Sequence, residues 1–160
     1  MIELNKKTQQ DFLNREWVQR LLDAGVDMSD AKYALYRLKE ATFDIVVYQG
    51  TYFADDRYCN GIKVENIVPT YTVSELLYKL HEWICPTIDG IKYSGMLIMY
   101  KDAPFYPAYY ELKDENGNTN DQYIHAPCEY PIESLASLLI QCHKKDIGIK
   151  TKDTGNISDK

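Results

Sequence analysis

The chain has 160 residues, 45% of them hydrophobic and 26% charged, values that argue against a disordered chain and leave room for one domain with a real core. Its net charge is −6, and acids exceed bases in both halves, 12 against 10 over residues 1–80 and 12 against 8 over residues 81–160. No basic block is present to neutralise a phosphate backbone, so nucleic acid is not expected as a partner. No stretch nears the ~18 consecutive apolar residues of a membrane span, and the opening MIELNKKTQQDF lacks the apolar run of a secretory signal. A cytoplasmic protein is expected, with Cys59, Cys85, Cys128 and Cys142 as reduced thiols.

Thr8 and Asp11 resemble a capping start, and Leu13, Trp17, Val18, Leu21 and Leu22 repeat at helical spacing up to Ala24, where Gly25 ends the helix. Asp27 and Ser29 can cap a second helix over residues 29–40, with Ala31, Ala34, Leu35 and Leu38 along one face. The two would form an αα-hairpin. From Phe43 the residues become β-rich: FDIVVY, a break at Gln49-Gly50, TYFADD, then Asn60-Gly61 before IKVENIV. Two or three antiparallel strands follow from this, and Pro69 should stop the run.

Thr72-Val73-Ser74-Glu75 is a capping box, after which Val73, Leu76, Leu77, Leu80 and Ile84 mark the buried face of a helix ending near Cys85-Pro86. Beyond a turn at Asp89-Gly90 come three strand segments, IKYSGMLIMY, FYPAYYEL and QYIHAPC, with the turn-prone loop DENGNTND between the second and third. Pro107 would push the second toward a sheet edge. Pro131 suits the first turn of a last helix, whose stripe is Ile132, Leu135, Ala136, Leu139 and Cys142, and whose C-terminal end carries Lys144 and Lys145. The polar residues 148–160 have nothing to bury and are expected to be a disordered tail. The order is ααβ(β)βαβββα: a single α+β domain over residues 1–147, with one antiparallel sheet of about 4–6 strands packed by helices.

Several stretches resemble a group of small uncharacterised proteins of gut Bacteroidetes genomes and their prophages. The resembling residues are Leu35, Leu38-Lys39-Glu40 and Phe43-Asp44; Pro69-Thr70-Tyr71 opening a helix with Glu75 and Leu80-His81-Glu82; and then the tyrosine-rich hairpin and closing helix. The likeness runs over roughly residues 32–146. In that group a Trp precedes a Leu-Arg-Glu in the middle helix, whereas here Trp83 follows Leu80-His81-Glu82, and residues 8–24 add a helix. The resemblance implies a phage-type accessory protein with no assigned chemistry.

Four side chains offer the donor types of a zinc site: His81 and Cys85, four apart on the middle helix, and His125 and Cys128, three apart near the last strand. Brought together, they would give a zinc- or thiol-dependent enzyme its centre. Against this, C-x-x-C spacing and knuckle glycines are missing, so buried thiols and ordinary histidines are the simpler reading. No G-x-S-x-G, P-loop, G-x-G-x-x-G or H-E-x-x-H occurs. No catalytic residue and no cofactor are therefore assigned. Residues 21–40 have the outline of a helix-turn-helix, with Lys32, Tyr33, Tyr36 and Arg37 on its second helix. Asp23, Asp27 and Asp30 at the turn would repel a DNA backbone, which favours a plain αα-hairpin over a DNA-binding regulator.

Seven of the fourteen tyrosines lie between Gly90 and Pro131. Tyrosine serves cores and recognition surfaces alike. On a strand over residues 105–112, Tyr106, Ala108, Tyr110 and Leu112 share one face and Phe105, Pro107, Tyr109 and Glu111 the other. One set can enter the core while the other stays at a surface. Phe105, Tyr106, Pro107, Tyr109 and Tyr110 thus form the candidate partner-binding segment, and the expected function is binding, to another protein or to a second copy.

Overall fold

The computed structural model describes residues 2–4, 11–37, 42–48, 58–59, 62–63 and 65–147. The chain divides into two compact units, Met1–Glu75 and Leu76–Lys160. The class is α+β, with antiparallel pairing throughout and three helices among the described residues. None of those helices is long and apolar enough to cross a membrane. The segment TYFADD, Thr8 and residues 148–160 lie outside the described residues.

In the first unit, β1 (Ile2–Leu4), β2 (Tyr33–Arg37), β3 (Asp44–Tyr48) and β6 (Glu65–Thr70) form a sheet in the order β1-β3-β2-β6. Two short strands, β4 (Tyr58–Cys59) and β5 (Ile62–Lys63), pair separately. Helix α1 (Arg15–Asp23) begins where the Asn14 side chain accepts the Trp17 N–H at 3.0 Å, so an otherwise orphaned donor is satisfied. It ends at Ala24, and Gly25 follows with φ 89°, the left-handed conformation that glycine adopts without a Cβ penalty. Val18 and Leu21 are its buried residues.

The expected helix over residues 29–40, and with it the αα-hairpin, is absent: Tyr33–Arg37 is strand β2. Ala34, Leu35 and Tyr36 are buried in succession, which requires a strand covered on both faces. Paired with β3 on one side and β6 on the other, β2 is interior to its sheet. A short apolar run of this kind fits helix and buried strand equally well by spacing, and the pairing decides between them. Pro69 does not stop the β run either. It sits within β6 opposite Ala34, tolerated because β6 is an end strand of its sheet among the described residues.

Three charged groups tie this unit together. Asp44, 5% exposed, accepts from Arg15 Nη2 at 2.7 Å and from Arg37 Nη2 at 3.0 Å, joining α1, β2 and β3 through one carboxylate. Thr70 Oγ1 donates to the Leu13 carbonyl at 2.6 Å, and the Leu13 N–H donates to the Tyr71 carbonyl at 3.0 Å. The Tyr71 hydroxyl, on a fully buried ring, donates to Asp30 Oδ1 at 2.6 Å. Burial first, and then the hydrogen bond and charge of Asp30 with the charges of Glu75 and Asp27, push its pKa far above the ordinary phenol value.

Helix α2 (Val73–Lys79) opens with the expected capping box. The Glu75 N–H donates to Thr72 Oγ1 at 3.2 Å, and Glu75 Oε1 accepts the Thr72 N–H at 3.0 Å. It is shorter than its apolar spacing suggests, because Trp83 and Ile84 leave it for a strand. Ile84 is fully buried opposite Gly95 in the sheet, and the proline after Cys85 disfavours helix there.

In the second unit, β7 (Trp83–Ile84), β9 (Ile91–Met99), β10 (Ala108–Asp114) and β11 (His125–Ala126) lie in the order β11-β10-β9-β7, and β8 (Thr87–Ile88) also pairs with β9. The described strands therefore form separate sheets and not one merged sheet. Asp89 and Gly90, with φ 52° and 80°, make the tight turn between β8 and β9. After β10 the Asp114 carboxylate accepts the backbone N–H groups of Asn116 at 2.9 Å and Asn118 at 2.8 Å, and Gly117 takes φ 83°. Partial desolvation alone would raise the Asp114 pKa, but the donors of Asn118, Asn116 and Gly117 outweigh it and hold the carboxyl below its usual value.

Helix α3 (Pro131–Lys144) carries the expected stripe, with Ile132, Leu135, Ala136, Leu139 and Cys142 all buried and Pro131 in its first turn. It packs on β10 and β11. Ser134 Oγ donates to the Tyr106 carbonyl at 2.7 Å and accepts the Cys128 N–H at 3.1 Å. The Gln141 amide accepts the His125 N–H at 3.2 Å and donates to the His125 carbonyl at 2.9 Å.

Candidate functional site

The β9–β10 register sorts the side chains of the second sheet into two faces. Ala108, Tyr110 and Leu112 stand opposite Met99, Leu97 and Gly95, and the three from β10 are buried at 1% exposure or less. With Ile84, Ile124 and Ala126 they make the face that packs toward the core. Tyr110 closes this face by donating its hydroxyl to the His81 carbonyl at 2.5 Å. Gly95 is required here: a Cβ at this position would overlap the backbone carbonyl of Glu111 on the neighbouring strand.

The opposite face holds Tyr109 opposite Ile98, Glu111 opposite Met96 and Lys113 opposite Ser94. Trp83 pairs with Met96 from the other side, and His125 pairs with Tyr109 from β11. Tyr100, two residues beyond Ile98, meets the Tyr109 ring edge-on at 6.1 Å, and the His125 ring lies 6.0 Å from Tyr109 on its other flank. Trp83 is 46% exposed, Tyr100 45% and Met96 40%, while Tyr109, Ile98 and His125 are half-buried. An apolar, largely aromatic row thus crosses four strands on the solvent side of the sheet. Burial, followed by the charges of Asp121 and Glu111, raises the Tyr109 phenol above its ordinary pKa, so the ring stays neutral at physiological pH.

The strand expected over residues 105–112 begins only at Ala108; from there the alternation is present, and Tyr109 and Tyr110 part to opposite faces as it requires. The edge position is not. β10 is flanked by β9 and β11, and Pro107 precedes the strand, buried, where its missing N–H breaks no ladder bond. Phe105 is exposed in a tight turn after the cis Ala103-Pro104 bond, exchanging backbone bonds with Asp102. Tyr106 is half-buried, its N–H donating to the Cys128 carbonyl at 2.8 Å. Of the five candidate residues, Tyr109 lies on the open face and Tyr110 faces the core.

Trp83, Met96 and Ile98 were not among the sequence candidates. Trp83 was hidden by its expected place on a helix. Met96 and Ile98 were hidden because IKYSGMLIMY is apolar on both faces; the alternation argument applied to FYPAYYEL, carried across to this segment, would have put Met96, Ile98 and Tyr100 together.

The zinc candidates do not converge, since no group of three or more His, Cys, Asp or Glu among the described residues is placed to hold a metal ion. His81 is buried just past α2, Cys85 is exposed beyond β7, His125 lies in β11, and Cys128 is half-buried beside Ser134. Cys142 is buried in α3, and burial pushes its thiol up to about 12 despite the opposing charge of Lys145, so it holds no thiolate near neutral pH. The helix-turn-helix outline fails with its second helix. Tyr36 is buried there, and Arg37 is engaged with Asp44.

Comparison of the chain with protein-family models, with curated proteins and with solved structures returns no match.

Proposed function

We propose that this protein is a small cytoplasmic accessory protein that works by binding, to another protein or to itself, through the tyrosine-bearing open face of its second sheet. One observation carries this reading. Trp83, Met96 and Tyr100 stand exposed beside Ile98, Tyr109 and His125 on a single face, and aromatic residues gathered in this way are enriched at the centres of protein interfaces. Tyr and Trp supply large contact areas with few rotatable bonds, so little entropy is lost when they are fixed. A phage-type accessory role, implied by the resemblance in sequence, belongs to the same proposal.

The test is substitution of Trp83 and Tyr109 by Ser, alone and together, with Phe105→Ser as a separate arm for the neighbouring turn. Partner capture or self-association should fall at least about tenfold, the effect of losing an interface hot spot, while the thermal melt stays near wild type. Unchanged pull-downs and unchanged sedimentation in the Trp83 and Tyr109 variants would sink the reading.

A further inference from the structure

We propose that the occupant of the open face is a second copy of this chain, seated face to face across a two-fold axis that runs along the strands between β9 and β10. This rests on the reading of that face as a binding surface, and it adds the partner and the geometry.

The face is zoned along its strands. One end is apolar, with Tyr100, Tyr109 and Ile98; the other carries the charges, with Glu111, Lys113 and Ser94, and Met96 and Trp83 share the rung of Glu111. A partner has to match both zones. A copy turned about an axis across the strands would set aromatic end on charged end. Turned about an axis along the strands, it sets like zone on like zone.

That second axis also separates the charges. Glu111 and Lys113 both belong to β10, and the residues opposite them on β9, Met96 and Ser94, are neutral. An axis between the two strands lays each β10 over the β9 of the other copy. Tyr109 then meets Ile98 of the second copy, Glu111 meets its Met96, and Lys113 meets its Ser94, so no two like charges are opposed. Within one copy Glu111 and Lys113 lie 3.9 Å apart, which leaves their pair neutral on a chain of net charge −6. A second like-charged chain therefore meets no net repulsion from this pair.

The size of the face sets the strength. The seven paired residues of β9 and β10 run about 24 Å, and four strands span at most about 19 Å. The outer strands β7 and β11 contribute two residues each. Such a face lies at the small end of specific interfaces, so the dimer should be weak and reversible, with dissociation near the micromolar range or above.

Sedimentation velocity over about 5 to 500 µM, a range that brackets this strength, should show a reversible monomer–dimer shift. Tyr109→Ser should move its midpoint at least about tenfold higher. Added salt should tighten the dimer, because it screens repulsion between two chains of like charge. Geometry is read by cross-linking in a Cys85→Ser background. Lys113→Cys mixed with Ser94→Cys, which leave Tyr109 and Ile98 in place, should give a pair linked by a bismaleimide that spans the roughly 10 Å between facing sheets, well above either variant alone. A wild-type chain that stays monomeric throughout the range overturns the proposal, as does a dimer indifferent to Tyr109→Ser or one that refuses the 113–94 cross-link. If that monomer still binds a different protein in a Tyr109-dependent way, the binding-face reading stands without the second copy; if it does not, both fall.

Discussion

Two interior strands of this protein, β2 in the first unit and β10 in the second, are each paired on both sides, yet they are buried in opposite styles. In β2 three successive residues, Ala34, Leu35 and Tyr36, are buried, so both faces of the strand are covered. In β10 burial alternates, with Ala108, Tyr110 and Leu112 inside and Tyr109, Glu111 and Lys113 outside. A strand covered twice has only a structural task. A strand covered once keeps a face to spend on recognition, and the exposed aromatics of the second sheet lie on that face.

The strongest way to test the contrast is to break the second sheet itself. Gly95→Ala forces a Cβ into the Glu111 carbonyl and should cost about 3 kcal/mol or more, overpacking against backbone that cannot move aside. It should be read as a fall in the denaturant midpoint of the second unit. Retention of the wild-type midpoint would mean that β9 and β10 are not this closely paired.

An alanine scan sharpens the comparison. Along β2, Leu35→Ala should cost about 3 kcal/mol, and Tyr36→Ala a similar amount, giving a plateau of damage. Along β10 the profile should be a saw-tooth, with Leu112→Ala near the same figure and Tyr109→Ser within about 0.5–1 kcal/mol of wild type. A flat profile along β10, measured by urea melts, would remove the distinction between the two strands.

The first unit also carries a pH signature. Because the folded-state pKa of Tyr71 is raised, its contribution is complete below the ordinary phenol value of about 10 and is lost as pH rises above it. Stability should therefore decline on the alkaline side, and Tyr71→Phe should flatten that decline while giving up the bond to Asp30. A decline of equal steepness in the Phe variant would assign it elsewhere. A small effect is also expected of Thr72→Ala, which removes one half of the α2 capping box and should cost about 1 kcal/mol in a thermal melt.

Legibility in the sequence followed the same division. Elements with one apolar face, α1, α3 and β10, could be read from spacing, as could the devices that start and stop them: the Thr72–Glu75 box, Pro131, Asp89-Gly90 and the turn after Asp114. The failures came where apolar residues ran on without a period. Residues 33–37 fit helix and buried strand equally well by spacing, and only pairing with β3 and β6 makes them a strand. Trp83-Ile84 likewise looks like the tail of α2 until β9 claims it. Of the partner-binding candidates only Tyr109 lies on the candidate face; alternation along β9 would have grouped Met96 with Ile98 and Tyr100, whereas Trp83 reaches the face only through long-range register that no local pattern encodes.

Strand β11 ends the second sheet, and its outward backbone groups at His125 would ordinarily be a template onto which another strand could zip. The Gln141 carboxamide fills both positions, accepting from the His125 N–H and donating to its carbonyl, as the peptide unit of a neighbouring strand would. A single side chain thus acts as a one-residue mock strand and guards the margin of the sheet against indefinite extension. Growth by strand addition is blocked at this margin, so sticky aromatics can be carried on the flat of the sheet with less risk of fibre formation.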